Sequence, residues 1–131
     1  MTTGTILGAE KHQQGLQSFR DGKIEDALYL LGEAIAECET SERWNDWAVV
    51  QLTAHNVDDA EKAFQRALKL EPDNHQAAAN LGALLAVLGR AEEALVLLER
   101  CQPGLSEENK AIVAQLLIDC RSKLRTRAQS S

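Results

Sequence analysis

Residues 44–72 read WNDWAVVQLTAHNVDDAEKAFQRALKLEP. Helices over 42–54 and 57–70, joined by a tight reversal, account for this stretch. Ala48 in the first helix, and Ala60 and Ala67 in the second, are small enough to let two antiparallel helices touch. Phe64 is the large apolar side chain that fills the space beside them. His55 stands at the reversal. Asp58 and Asp59 open the second helix, where the positive end of its dipole favours acids. Such a hairpin cannot bury its apolar face alone, so it asks for neighbours.

The neighbours are copies of it. Ala27, Ala60 and Ala94 are 33 and 34 residues apart. Twelve residues before each stands a small residue: Gly15, Ala48 and Gly82. Four residues after each stands a large one: Leu31, Phe64 and Leu98. Seven after each stands another small one: Ala34, Ala67 and Cys101. Gly22, His55 and Gly89 occupy the reversals. Glu25–Asp26, Asp58–Asp59 and Glu92–Glu93 open the second helices.

This spacing resembles the tetratricopeptide repeat, a helical hairpin of about 34 residues with the pattern W-x2-L-G-x2-Y, A-x3-F and P. The second unit offers Trp44, Trp47, Ala48, Gln51, Ala60, Phe64, Ala67 and Pro72. The third offers Ala78, Leu81, Gly82, Leu85, Ala94 and Leu98. Glu71-Pro72-Asp73-Asn74 is similar to the family's turn between repeats. The first unit departs from the pattern at Lys11 and Gln14, as suits a terminal repeat with a polar outer face. The resemblance covers roughly residues 8–106. It implies an all-α, right-handed superhelical stack of three antiparallel helix pairs with a C-terminal capping helix.

Helices are predicted near 6–20, 24–39, 42–54, 57–70, 75–88, 91–101 and 106–126. The organisation is a lead-in over 1–7, hairpins over about 8–40, 41–74 and 75–105, a capping helix over 106–126 and a frayed polar tail over 127–131. Pro103 and Gly104 end the sixth helix. Ser106 is the expected N-cap of the seventh. Its apolar stripe runs through Ile112, Val113, Leu116, Leu117, Cys120 and Leu124.

Composition agrees. The 131 residues are 44% hydrophobic and 26% charged but only 4% aromatic, with 2 Pro, which suits helices better than a β-sandwich or barrel. The net charge of -6 argues against a nucleic-acid partner, because phosphates need a basic face. Residues 1–109 carry 19 acidic and 9 basic side chains, whereas 110–131 carry 1 acidic and 5 basic. The basic end reads as a solvated helix terminus, with cations near its negative dipole end. No apolar run approaches bilayer length and no signal-peptide pattern opens the chain, so a cytoplasmic location is expected. Cys38, Cys101 and Cys120 are odd in number and widely spaced, and read as reduced thiols.

No nucleophile elbow, zinc-protease helix, phosphate loop or dinucleotide fingerprint occurs, so no enzyme activity is expected. His12, His55 and His75 are isolated in sequence and read as structural, with no metal site and no cofactor expected.

The resemblance implies binding. The first helix of each hairpin lines a concave groove in this family. By register, that groove takes His12, Leu16 and Phe19 from the first unit. Asn45, Val49, Leu52 and Thr53 come from the second, and Gln76, Asn80, Ala83 and Val87 from the third. Chaperone-binding members grip a terminal carboxylate with lysines, asparagines and an arginine. The matching places here hold His12, Leu16, Asp46, Gln76 and Asn80. An acidic groove repels a carboxylate at close range, so a basic or neutral peptide is the expected ligand.

The leading reading is a scaffold or adaptor with a protein or peptide partner. A second comes from Trp44-Asn45-Asp46-Trp47-Ala48 with Asn80-Leu81-Gly82 and Cys120-Arg121, which is similar to repeat regions attached to bacterial glycosyltransferases and methyltransferases. It makes the chain an accessory domain of a larger enzyme. A third is self-association into a homo-oligomer through an exposed apolar patch.

Overall fold

The computed structural model describes residues 7–130. Among them are seven α-helices and no strand. They are α1 (Ala9–Arg20), α2 (Ile24–Glu37), α3 (Ser41–Thr53), α4 (Val57–Leu70), α5 (His75–Val87), α6 (Ala91–Cys101) and α7 (Glu107–Ser130). The expected all-α class holds. The chain divides into two compact units, Met1–Pro72 and Asp73–Ser131, and the division falls inside the expected inter-repeat turn.

In the first unit α1 packs on α2, α2 on α3 and α3 on α4. The repeat positions do what their sizes require. A Cβ placed on Gly15 would stand 2.8 Å from the Leu31 side chain, so only glycine lets α1 come this close to α2. Ala27, Leu31, Ala34, Ala48, Ala60, Phe64 and Ala67 are all fully excluded from solvent. Leu16, Phe19, Ile24, Leu28 and Trp47 pack around Ala27, Leu31 and Val50. Thr40 Oγ1 caps α3 by accepting the Arg43 amide at 3.1 Å. Ser41 Oγ donates to the Ala67 carbonyl at 2.7 Å, which ties the start of α3 to α4.

In the second unit α5 packs on α6, and both pack on α7. Gly82 faces Leu98 as Gly15 faces Leu31, with an added Cβ only 2.7 Å away. Asn74 caps α5 through the Ala77 amide at 3.0 Å. Ser106 Oγ accepts the Asn109 amide at 3.3 Å, as expected of it. The buried stripe of α7 is narrower than the sequence pattern: Val113, Leu117 and Cys120 are buried, while Ile112 is exposed.

The three hairpin reversals share one geometry. The amides of Gly22, His55 and Gly89 bond to the carbonyls of Phe19, Leu52 and Ala86. The amides that follow, of Lys23, Asn56 and Arg90, reach back to Ser18, Gln51 and Leu85. This Schellman arrangement requires a left-handed residue at the reversal. Gly22 (φ 77) and Gly89 (φ 80) supply it freely, but His55 must adopt φ 65 against its own Cβ. His55→Gly is therefore expected to stabilise the chain by about 0.5–1 kcal/mol, the relieved strain less glycine's extra unfolded-state entropy. Thermal denaturation should show a rise of a few degrees; an unchanged or lower midpoint would contradict the strain.

Arg66 of α4 grips the Glu39 carboxylate through Nε at 2.5 Å and Nη2 at 2.8 Å, and Trp44 Nε1 donates to it at 2.8 Å. These donors hold the Glu39 carboxyl down at about 2, against an ordinary 4.5. The folded value lies below the unfolded one. The contribution is thus complete above pH 4.5 and is lost as pH falls from there towards 2. The pair is partly open to water, so its contribution is small. The melting-temperature gap between the parent and Arg66→Met should close on acidification from pH 6 to the acid limb. A gap that stays constant would show that the pair contributes nothing.

Boundaries differ from expectation at both ends. The first helix, expected from 6, begins at Ala9 because Gly8 turns left-handed (φ 82) before it; residue 6 and most of the lead-in over 1–7 lie outside the described residues. The frayed tail expected over 127–131 is helical as far as Ser130; Ser131 lies outside the described residues. Arg127 explains the extension. Its Nη2 donates to the Gly89 carbonyl at 2.7 Å and docks the last turns on the α5–α6 reversal.

Candidate functional site

The first helices of the two hairpins in the first unit are α1 and α3. His12 on α1 is buried, and its Nε2 lies 2.8 Å from Asp46 Oδ2 on α3. Glu42 lies one turn before Asp46 on the same face of α3. The donor atoms of His12, Glu42 and Asp46 all lie within 4.8 Å of one another. Burial pushes the Asp46 carboxyl up, and the bond to His12 pulls the other way. His12, isolated in sequence, is not isolated in space: three residues of metal-ligating type converge there. The partner stands 34 residues along the chain, about one repeat, so adjacent first helices bring the two side chains together. Reading titratable residues at repeat spacing, rather than at motif spacing, would have found the pair.

Further along α3, Asn45 is buried, Val49 and Leu52 are half-buried, and Thr53 is exposed with its hydroxyl donating to the Val49 carbonyl at 3.1 Å. Leu16 and Phe19 are half-buried against the core. Trp44 and Trp47 meet edge to face, with ring centroids 5.7 Å apart. Lys11 and Gln14, the departures from the repeat pattern, have polar partners: Lys11 Nζ donates to Glu37 at 2.6 Å and Gln14 to Glu10 at 3.5 Å.

In the second unit α5 presents Gln76 and Asn80, whose amides are linked at 3.2 Å. Asn109 of α7 continues the chain by donating to Gln76 Oε1 at 3.3 Å. Ala83 is half-buried and Val87 is 82% exposed. His75 is placed by packing: an added Cβ on Gly104 would stand 2.0 Å from its ring. Cys101 and Cys120 are buried free thiols and Cys38 is half-buried. No described helix is long and apolar enough to cross a membrane.

Helical hairpins with small residues at the close approaches and a shared reversal define a helical-repeat protein. The family model of the tetratricopeptide repeat matches residues 45–104. The first such domain of human RPAP3 superposes with a TM-score of 0.80 at 19% identity, covering 95% of this chain and 98% of that one. The second human RPAP3 domain, solved with the HSP70 peptide SGPTIEEVD, gives 0.76 at 21% identity over 90% and 98%. Yeast Tom70 gives 0.80 at 18% identity over 94% of this chain and 25% of that one. No curated protein matches the chain. Residues 45–104 match the tetratricopeptide repeat, and the fold of the chain is that of the tetratricopeptide repeat domain.

Proposed function

We propose that this chain is a non-enzymatic protein-interaction module, a scaffold or adaptor, that takes a basic or neutral peptide on the faces of its first helices. One observation carries the reading. On α3, Glu42 and Asp46 stand with no lysine or arginine in ion-pair range among the described residues, one to three turns from half-buried Val49 and Leu52. An extended segment with a cationic side chain and an apolar neighbour fits such a face, whereas a terminal carboxylate meets like charge. In the second unit, the linked amides of Gln76 and Asn80 supply donors and acceptors for a peptide backbone. Free thiols suit a reducing compartment such as the cytoplasm.

The test has two parts. The purified chain is used to capture a partner from native lysate beside Glu42→Arg/Thr53→Arg, and beside Lys62→Glu on the exposed side of α4 as control. The partner, identified by mass spectrometry and measured by calorimetry, should lose about tenfold or more in affinity with the α3 variant, about 1.4 kcal/mol, and nothing with the control. The peptide SRMEEVD, which is bound in a solved relative, should bind far more weakly than the partner's own segment. Micromolar binding of SRMEEVD would overturn the basic-or-neutral assignment. Equal loss in both variants would move the site off the first helices.

A further inference from the structure

The His12–Glu42–Asp46 cluster has a property that peptide binding does not require. We propose that it is a binding site for one divalent first-row transition-metal ion of the zinc class, bridging α1 and α3.

Glu42 and Asp46 are spaced i, i+4 and share one face of α3, the spacing at which two side chains of a helix reach a common ion. His12 comes from the neighbouring helix with Nε2 turned towards Asp46. Zinc binds imidazole and carboxylate donors at about 2.0–2.2 Å, so donors sharing an ion stand about 3–3.5 Å apart. The three donor atoms already lie within 4.8 Å of one another. Glu42 is exposed, so its side chain is free to make the remaining adjustment.

The charges point the same way. The nearby cations are committed elsewhere. Lys11 is held by Glu37 at 2.6 Å and Glu33 at 3.7 Å. The Arg43 guanidinium donates to the carbonyls of Leu7, Ala34 and Cys38. Two carboxylates are thus left beside a buried imidazole, and a dication neutralises them. One imidazole with two carboxylates favours zinc, iron, cobalt or manganese. It is too poor in oxygen ligands for calcium and lacks the thiolate that copper(I) prefers. Three protein ligands leave at least one coordination position for water or for a donor from a bound segment. The inference rests on the cluster alone and stands whether or not the peptide reading does.

The test is calorimetric titration of the tag-free full chain with zinc chloride, without peptide. The expected result is one ion per chain, with a dissociation constant on the order of micromolar. Glu42→Gln, an exposed position that leaves packing untouched, should weaken binding about tenfold or more, because losing a ligand costs no less than losing an outer-shell partner. Asp46→Asn and His12→Ala should do the same in variants whose circular dichroism shows a folded chain. Cys38→Ser should leave the affinity unchanged, and the cobalt(II) complex should show no thiolate charge-transfer absorption. Absence of saturable binding would overturn the proposal. So would equal affinity in Glu42→Gln, or binding lost with Cys38→Ser.

Discussion

Phe64→Ala is expected to lower the stability of the first unit by about 3–5 kcal/mol, the usual range for truncating a fully buried aromatic. Phe64 has no solvent exposure and heads the largest fully buried side chains among the described residues. It holds the repeat position that Leu31 and Leu98 hold in the other hairpins, where the large side chain is driven against the small residue of the partner helix. The other buried residues of its helix are all alanines, Ala60, Ala63 and Ala67, whose positions are fixed by the backbone. They cannot collapse into the void, so the cavity cost adds to the lost transfer free energy. Phe64→Leu, the choice of the other two repeats, should cost less than about 1.5 kcal/mol. Trp44 and Trp47 both lie in the first unit, so their fluorescence during urea unfolding reports on it. A Phe64→Ala variant within 1 kcal/mol of the parent would mean the site repacks.

Arg43→Ala should cost about 2–4 kcal/mol by a different route. The side chain is almost fully buried, and its Nη1 donates to the carbonyls of Leu7 at 2.7 Å, Ala34 at 3.0 Å and Cys38 at 2.6 Å. Two of those carbonyls belong to the end of α2: that of Cys38, where the chain turns extended and leaves the helix, and that of Ala34, which also accepts the Cys38 amide at 3.0 Å. The guanidinium satisfies them and places a positive charge at the negative end of the helix dipole. Removal takes the guanidinium donor from the Leu7 and Cys38 carbonyls, and an acceptor left unpaired costs about 1–3 kcal/mol where water cannot reach. Those two bonds are only part-buried, and the buried Ala34 carbonyl keeps the Cys38 amide, which limits the total. Arg43→Lys should recover about half, since the lysine stem is one bond shorter and its ammonium stops short of the Nη1 position. Native-state hydrogen exchange should show the loss concentrated in amides around residues 34–38. Uniform loss across the unit would indicate that packing, rather than capping, is the main role.

The fold was legible because its decisive interactions are short in sequence and occur three times. Each reversal closes hydrogen bonds across at most five residues, and Gly22 and Gly89 announce it; His55 is readable only because the other two copies show what stands there. Gly15 against Leu31 and Gly82 against Leu98 are contacts 16 residues apart within one hairpin, so residue size at repeat spacing identifies them before any coordinates. What the pattern could not assign is the direction taken by a polar side chain. Nothing in the repeat pattern marks Arg43, yet it turns inward because carbonyls from 5 to 36 residues away meet there. Arg127 reads as part of a frayed end, yet a carbonyl 38 residues away keeps the last turns helical. His12 reads as a lone histidine until α3 brings Asp46 and Glu42 beside it. The sequence by itself thus determined the helices, their pairing and their small-to-large contacts, because hydrophobic size acts locally and repeats. Only the tertiary structure decided which polar groups meet, because a buried hydrogen bond selects its partner by position in space.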